Sequence, residues 1–169
     1  MKIRVLVVIA ILVVIAGGWS LFRPERLFIN NKVNEALPVA QTNNPSSIQN
    51  PTTLYTGAFH SVAHNSMGTA TVLQLADGKR LLRFTGFETS NGPDVRVYLV
   101  AANDASDSQT VTSAGFVELG ALKGNIGDQN YDLPGDIDLT RYRAVTIWCK
   151  RFSVNFGTAP LQPTMAKQS

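Results

Sequence analysis

The sequence predicts an all-β fold: a compact antiparallel β-sandwich or small barrel of about eight strands, preceded by one N-terminal transmembrane helix and a flexible linker. Three observations carry this reading. The first is an uncharged apolar run, VLVVIAILVVIAGGWSLF, over residues 5–22. The second is a stretch over residues 23–53, rich in Asn, Gln, Pro, Ser and Thr, in which no periodicity persists. The third is a succession of short segments between Tyr55 and Leu161 that alternate apolar and polar residues and are separated by turn residues.

The apolar run has eighteen residues. At about 1.5 Å of rise each they make about 27 Å of helix, close to the ~30 Å of a bilayer core. Lys2 and Arg4 precede the run, Arg23-Pro24-Glu25-Arg26 stops it, and Trp19 and Phe22 fall where interfacial aromatics are expected. Residues 1–22 therefore read as an uncleaved signal-anchor. The rival reading is a cleaved signal peptide, with its apolar region over Val5–Ile15 and Val14-Ile15-Ala16 as a small-residue site. The basic flanks nearly balance, so orientation rests on the short leader and the large remainder. Either way the remainder is expected outside the cytoplasm, in the cell envelope, the periplasm or at the cell surface.

Charge agrees with this division. The formal net charge is +3, yet Lys2, Arg4, Arg23 and Arg26 face a single acid, Glu25, in the first 26 residues. From Tyr55 onward ten Lys/Arg meet ten Asp/Glu. The excess belongs to membrane topology and points away from nucleic acid as a partner.

The elements follow in order. Residues 23–53 read as a polar linker interrupted by Pro38, Pro45 and Pro51, with a short helix around Leu27–Leu37 as the local alternative. A coil of this length spans roughly 30 Å and would set the domain clear of the membrane. The domain proper covers residues 54–162, and residues 163–169 form a tail. Its first strand is YTGAFHS. GTATVLQLA, Asp77-Gly78 and KRLLRFTGF form a hairpin, because Asp-Gly tolerates the positive φ of a tight turn. Asn91-Gly92-Pro93-Asp94 is a second turn; if Gly92 holds a positive φ, Gly92→Val is expected to be damaging. It launches VRVYLVA, in which Val95, Val97 and Leu99 oppose Arg96 and Tyr98. GFVELG, NYDL, AVTIWCK and FSVNFG complete the set. No internal repeat and no amphipathic helix of useful length is visible.

The chain has one cysteine and two histidines, too few for a four-ligand structural zinc site. No Ser-His-Asp arrangement, phosphate-cradling glycine loop or Cys-x-x-Cys is recognisable. His60 and His64 would share a face of an extended strand, but Asn65-Ser66 with Gly68 predicts a turn. They read as surface or turn histidines, with a ligand or proton-relay role as the alternative for His64. Asp128, Asp132, Asp136 and Asp138 do not match helix-loop-helix calcium spacing and read as solvated turn acids.

Cys149 is less simply read. In AVTIWCK, Val145, Ile147 and Cys149 share one face, while Ala144, Thr146 and Trp148 share the other. A free cysteine on a core face packs as a small hydrophobe. Outside the cytoplasm, however, an unpaired thiol invites a functional explanation, as a redox centre or as a ligand to iron, copper or haem. Lys150 and Arg151 follow and would favour the thiolate, although the strand pleat turns Lys150 away from the sulfur. The sulfur is expected on the inner face near one rim of the sheet, shielded by Phe152 and other apolar neighbours.

Taken in order, Gly92-Pro93-Asp94 before a strand, Leu119-Gly120 with Leu122-Lys123-Gly124 and Tyr131, and Trp148-Cys149-Lys150 with Phe152, Phe156 and Gly157 resemble the DM-thirteen domain. This is often called the electron-transfer DM-thirteen family, and the likeness covers residues 54–162. The resemblance implies a small extracytoplasmic β domain whose characteristic cysteine, here Cys149, does redox work as a bare thiol or by holding a group such as haem. It places His64 where similar domains carry a histidine, as a second ligand. No second cysteine exists here for an intramolecular disulfide.

Two functions of different class follow. One is a membrane-anchored accessory domain in extracytoplasmic redox chemistry, acting through Cys149 with an envelope redox protein as partner, and not a stand-alone enzyme. The other is a non-catalytic binding or scaffolding module whose cysteine only packs the core. Its ligand would then lie at Asn91–Asp94 and Asn103–Ser108.

Overall fold

The structure is a computed structural model and describes residues 2–22, 29–38 and 50–164. Expectations for residues 23–28, 39–49 and 165–169 lie outside the described residues. The apolar run forms helix α1 (Lys2–Phe22). Val8, Leu12 and Ile15 are all more than half exposed, so α1 buries no face in protein. Its length and composition suit a membrane span or a signal sequence.

The domain is a sandwich of two five-stranded antiparallel sheets and is not a closed barrel. Its elements are β1 (Thr52–Ala58), β2 (His60–Ser61), β3 (Ser66–Gln74), β4 (Arg80–Thr89), β5 (Val95–Val100), α2 (Ser108–Ala114), β6 (Phe116–Ala121), β7 (Gln129–Asp132), β8 (Ala144–Cys149), β9 (Val154–Pro160) and β10 (Gln162–Pro163). One sheet has the order β10-β1-β3-β4-β7, the other β2-β9-β8-β5-β6. All eight expected strands are present. One of them divides, because the chain changes sheet within it, and one further short strand, β10, follows β9. At the buried Phe59, YTGAFHS passes from β1 of the first sheet to β2 of the second. At the buried Leu161, the chain returns so that β10 pairs with β1.

The two inner faces close over one core that includes Phe59, Val72, Leu82, Phe84, Phe87, Leu99, Ile147 and Cys149. Phe59 meets Phe84 and Phe87 with ring centroids 5.0 Å apart in each pair. A second, smaller cluster lies outside β5 and β8, where Tyr98, Val100, Ala144 and Trp148 pack with Ala105 and Val111. Val111 is the buried residue of α2, a helix of seven residues whose N-terminus is capped by Asp107 accepting from the Thr110 N–H at 2.6 Å. Seven residues give too little periodicity for sequence analysis to detect. Because this layer covers it, every residue of β8 is buried, not only alternate ones.

Residues 29–38 depart from the expectation of linker or helix. They are extended and docked on the domain as a strap. The Val33 N–H donates to the Ile126 carbonyl and the Glu35 N–H to the Asp128 carbonyl, both at 2.9 Å. The Asn31 N–H donates to Asn125 Oδ1 at 2.7 Å. The Glu35 carboxylate accepts from Lys123 Nζ at 2.8 and 3.0 Å, and from the Asn130 N–H at 2.7 Å.

Candidate functional site

The predicted residues gather at one end of the sandwich, where β5 and β9 begin and β8 ends. Cys149 is the last residue of β8, the central strand of its sheet, and pairs with Val95 on β5 and Val154 on β9. The Lys150 N–H closes the rim by donating to the Asp94 carbonyl at 2.8 Å. The thiol is fully buried. It belongs to the same core as Phe156, with Val95 and Val154 packed against it. Inner face and rim position are as expected.

The shield is not. Phe152 is 61% exposed. The connection from β8 to β9 is only residues 150–153, with Ser153 at a left-handed φ of 53°. So short a turn directs Phe152 outward instead of folding it over the sheet. Gly92 also acts differently than anticipated, because its φ is not positive. A Cβ there would lie 2.7 Å from Val95 Cγ2 and 3.0 Å from the Phe156 ring. Close packing at the rim, not backbone conformation, requires glycine.

His64 is half-buried, with its ring tilted at 42° against Phe156 and centroids 3.9 Å apart. Its backbone N–H donates to the Phe156 carbonyl at 3.1 Å. His64 and Cys149 thus share this end through Phe156, and no hydrogen bond joins them among the described residues. His60 diverges, because the bend at Val62–His64 breaks the strand. His60 Nε2 lies 3.0 and 3.1 Å from the two Asp104 carboxylate oxygens.

Beside the rim opens a cavity of about 570 Å³, lined by Asn91–Arg96, Ala121–Asn125 and the strap residues Ile29–Asn31. Its charges are internally matched. Arg96 lies 2.6 Å from Asp94 and 3.0 Å from Glu118, and Lys150 reaches Glu118 at 3.1 Å. The hydrogen bond to Asp94 raises the pKa of Arg96 further. The other loop expected to bind a ligand, Asn103–Ser108, is taken up structurally: the Asn155 amide donates to the Ala105 carbonyl at 2.6 Å and Asp107 caps α2.

A haem or metal held by Cys149 requires open space and further ligands around the sulfur. Cys149 does not line the cavity, and among the described residues no three His, Cys, Asp or Glu side chains converge. The closed apolar surroundings do not fit such a group. The aspartates do not converge either. Asp128 accepts from Arg83 at 2.7 Å and from the Gly86 N–H at 2.9 Å, while Asp138 caps the turn at Thr140.

The model of the Electron transfer DM13 family matches residues 58–161. The chain belongs to this family. No curated protein and no solved structure matches it. The DM13 match runs from the end of β1 to Leu161, so the strap lies outside it, yet the strap docks on residues 123–130 inside it. Sequence analysis found Lys123-Gly124 and Tyr131 but not their purpose. Gln129 is buried and donates to the Gly124 carbonyl at 2.7 Å, its Oε1 accepts the Tyr131 hydroxyl at 2.8 Å, and Tyr131 Oη in turn accepts the Lys123 N–H at 3.1 Å. Burial pushes the Tyr131 hydroxyl well above its ordinary pKa, so it stays a donor.

Proposed function

We propose that the chain is a membrane-tethered accessory domain of an extracytoplasmic electron-transfer process, with Cys149 as a sequestered redox thiol and an envelope redox protein as its partner. The observation that carries the reading is the DM13 match over residues 58–161, with the chain's one thiol at the rim beside the cavity. As a bare thiol, Cys149 has one available step with a partner disulfide. Its thiolate attacks one partner sulfur and an S–S bond forms to Cys149. The partner's own S–S bond breaks, and its other sulfur leaves as a thiolate that takes up the proton Cys149 gave up. With no second cysteine in the chain, a partner thiol must resolve the adduct. His64, whose ring packs on Phe156 at the same end of the sandwich, is the candidate proton acceptor, and the buried thiol must become exposed for either step.

A second reading, a binding module with a structural cysteine, is favoured by the complete burial of the thiol and by the open cavity at Asn91–Asp94. Trapping decides between them. Native membranes are quenched in acid, their thiols are blocked, and the proteins are separated without reductant. The redox reading expects an adduct that disappears in Cys149→Ala and Cys149→Ser, both still folded. A Cys149 that stays reduced, with both variants retaining full function, assigns the sulfur to the core. The loss on Cys149→Ala would then be a stability cost of about 1–2 kcal/mol.

A further inference from the structure

We infer that the sandwich is held end-on at the bilayer, with the Cys149 rim toward the lipid and the exposed turn Lys150–Ser153 touching an anionic headgroup surface. The inference rests on the reading of α1 as a retained anchor. The polar stretch after α1 was expected to act as one long spacer, and the strap removes most of that length. Docking begins at Asn30 and Asn31, whose side chains bond to Asn91, Asn125 and the Lys123 carbonyl. Only residues 23–28 remain between α1 and the described strap. At about 3.5 Å per residue, the step from Phe22 to Ile29 spans at most ~25 Å fully extended. Residues 39–49 follow the strap and so lie outside the tether between α1 and Ile29.

The strap enters at the rim end. Asn30 bonds Asn91 in the turn before β5, and β5 begins where β8 ends at Cys149. The Asp77-Gly78 hairpin closes the opposite end, one β3 length away. Nine residues of β3 make about 30 Å of strand. A tether of ~25 Å at one end of such a body brings that end to the membrane first. That end carries what an interface prefers: Phe152 is 61% exposed and Ile29 63% exposed, beside the exposed Arg151 and Lys150, the latter paired with Glu118 at 3.1 Å. Arg23 and Arg26 in the tether add positive charge between them. An aromatic tip with basic neighbours lowers its free energy at an anionic surface through partial burial of the ring and through Coulomb attraction. The rim that holds Cys149 then faces the membrane of its own anchor.

The full chain, reconstituted in vesicles of phosphatidylcholine with phosphatidylglycerol, tests this. An environment-sensitive fluorophore is placed on Phe152→Cys and, as the control, on Asp77→Cys; the buried Cys149 is confirmed unlabelled by mass spectrometry. Headgroup-proximal spin-labelled lipid should quench the label at 152 several-fold more than the label at 77. Amide exchange of residues 150–153 in the unlabelled protein should slow in vesicles relative to detergent, while residues 77–79 stay unchanged. Equal quenching at both sites, or exchange at 150–153 indifferent to lipid, overturns the inference. So does recovery of the chain as a soluble product lacking α1. None of these results depends on whether Cys149 forms an adduct, so this orientation and the redox reading fail separately.

Discussion

The sandwich has two regions that reverse the chain by different means. The Asp77-Gly78 turn is made locally: Gly78 takes a φ of 82°, the Leu75 N–H donates to the Lys79 carbonyl at 2.8 Å, and Asp77 accepts from the Lys79 N–H at 3.0 Å. The segment between β6 and β7 is held from far away. Its Asn125, and Asn130 just inside β7, bond to residues 94 and 95 positions earlier in the chain. Gly127, at a φ of 103°, sits against the Val33 carbonyl with no room for a Cβ. The local turn should tolerate change in the rest of the protein; the remote one is only as stable as the strap.

The largest expected effect comes from Gly127→Val, which forces both a strained φ and a clash with strap backbone. It should cost about 3 kcal/mol, read as a shift in denaturant midpoint of the full chain in detergent. Faster amide exchange should appear at residues 124–130 and not at 75–79. Equal loosening at both turns would erase the contrast.

Glu35→Ala removes the charged clasp while leaving the strap backbone intact. Both partners are a third or more exposed, so solvent screening limits the loss to about 1 kcal/mol. The same clasp gives a pH dependence. The hydrogen bond from Lys123 holds the Glu35 carboxyl below its ordinary value. A depressed folded-state pKa contributes stability that is complete above the unfolded glutamate value of about 4.3 and is lost as pH falls through the folded one. Protection of the amides at 33–36, corrected for the intrinsic slowing of exchange in acid, should therefore fall toward the Glu35→Ala level as pH drops, and protection indifferent to pH between about 5 and 3 would refute the clasp. Smallest is Gly78→Ala. It asks an L-residue to hold a left-handed φ in open space and should cost about 1 kcal/mol or less, with strap exchange unmoved.

Local pattern sufficed for α1, eight of the strands, the Asp77-Gly78 hairpin and the inner-face placement of Val145, Ile147 and Cys149. Each of these is written in side chains a few residues apart, through period-two alternation, turn chemistry or an unbroken apolar run. Tertiary structure alone decided the change of sheet at Phe59 and Leu161, the burial of the outer face of β8 under α2, the outward turn of Phe152 and the docking of the strap. These depend on what lies opposite across the fold. The strap shows why most plainly. It is held by backbone N–H and carbonyl groups, which nearly every residue offers alike, by the side chains of Asn30, Asn31 and Glu35, whose partners lie 61 to 95 residues away, and by the missing Cβ atoms of Gly124 and Gly127. A sequence names those glycines, but only the packed chain shows that Asn31 and Val33 fill the space beside them.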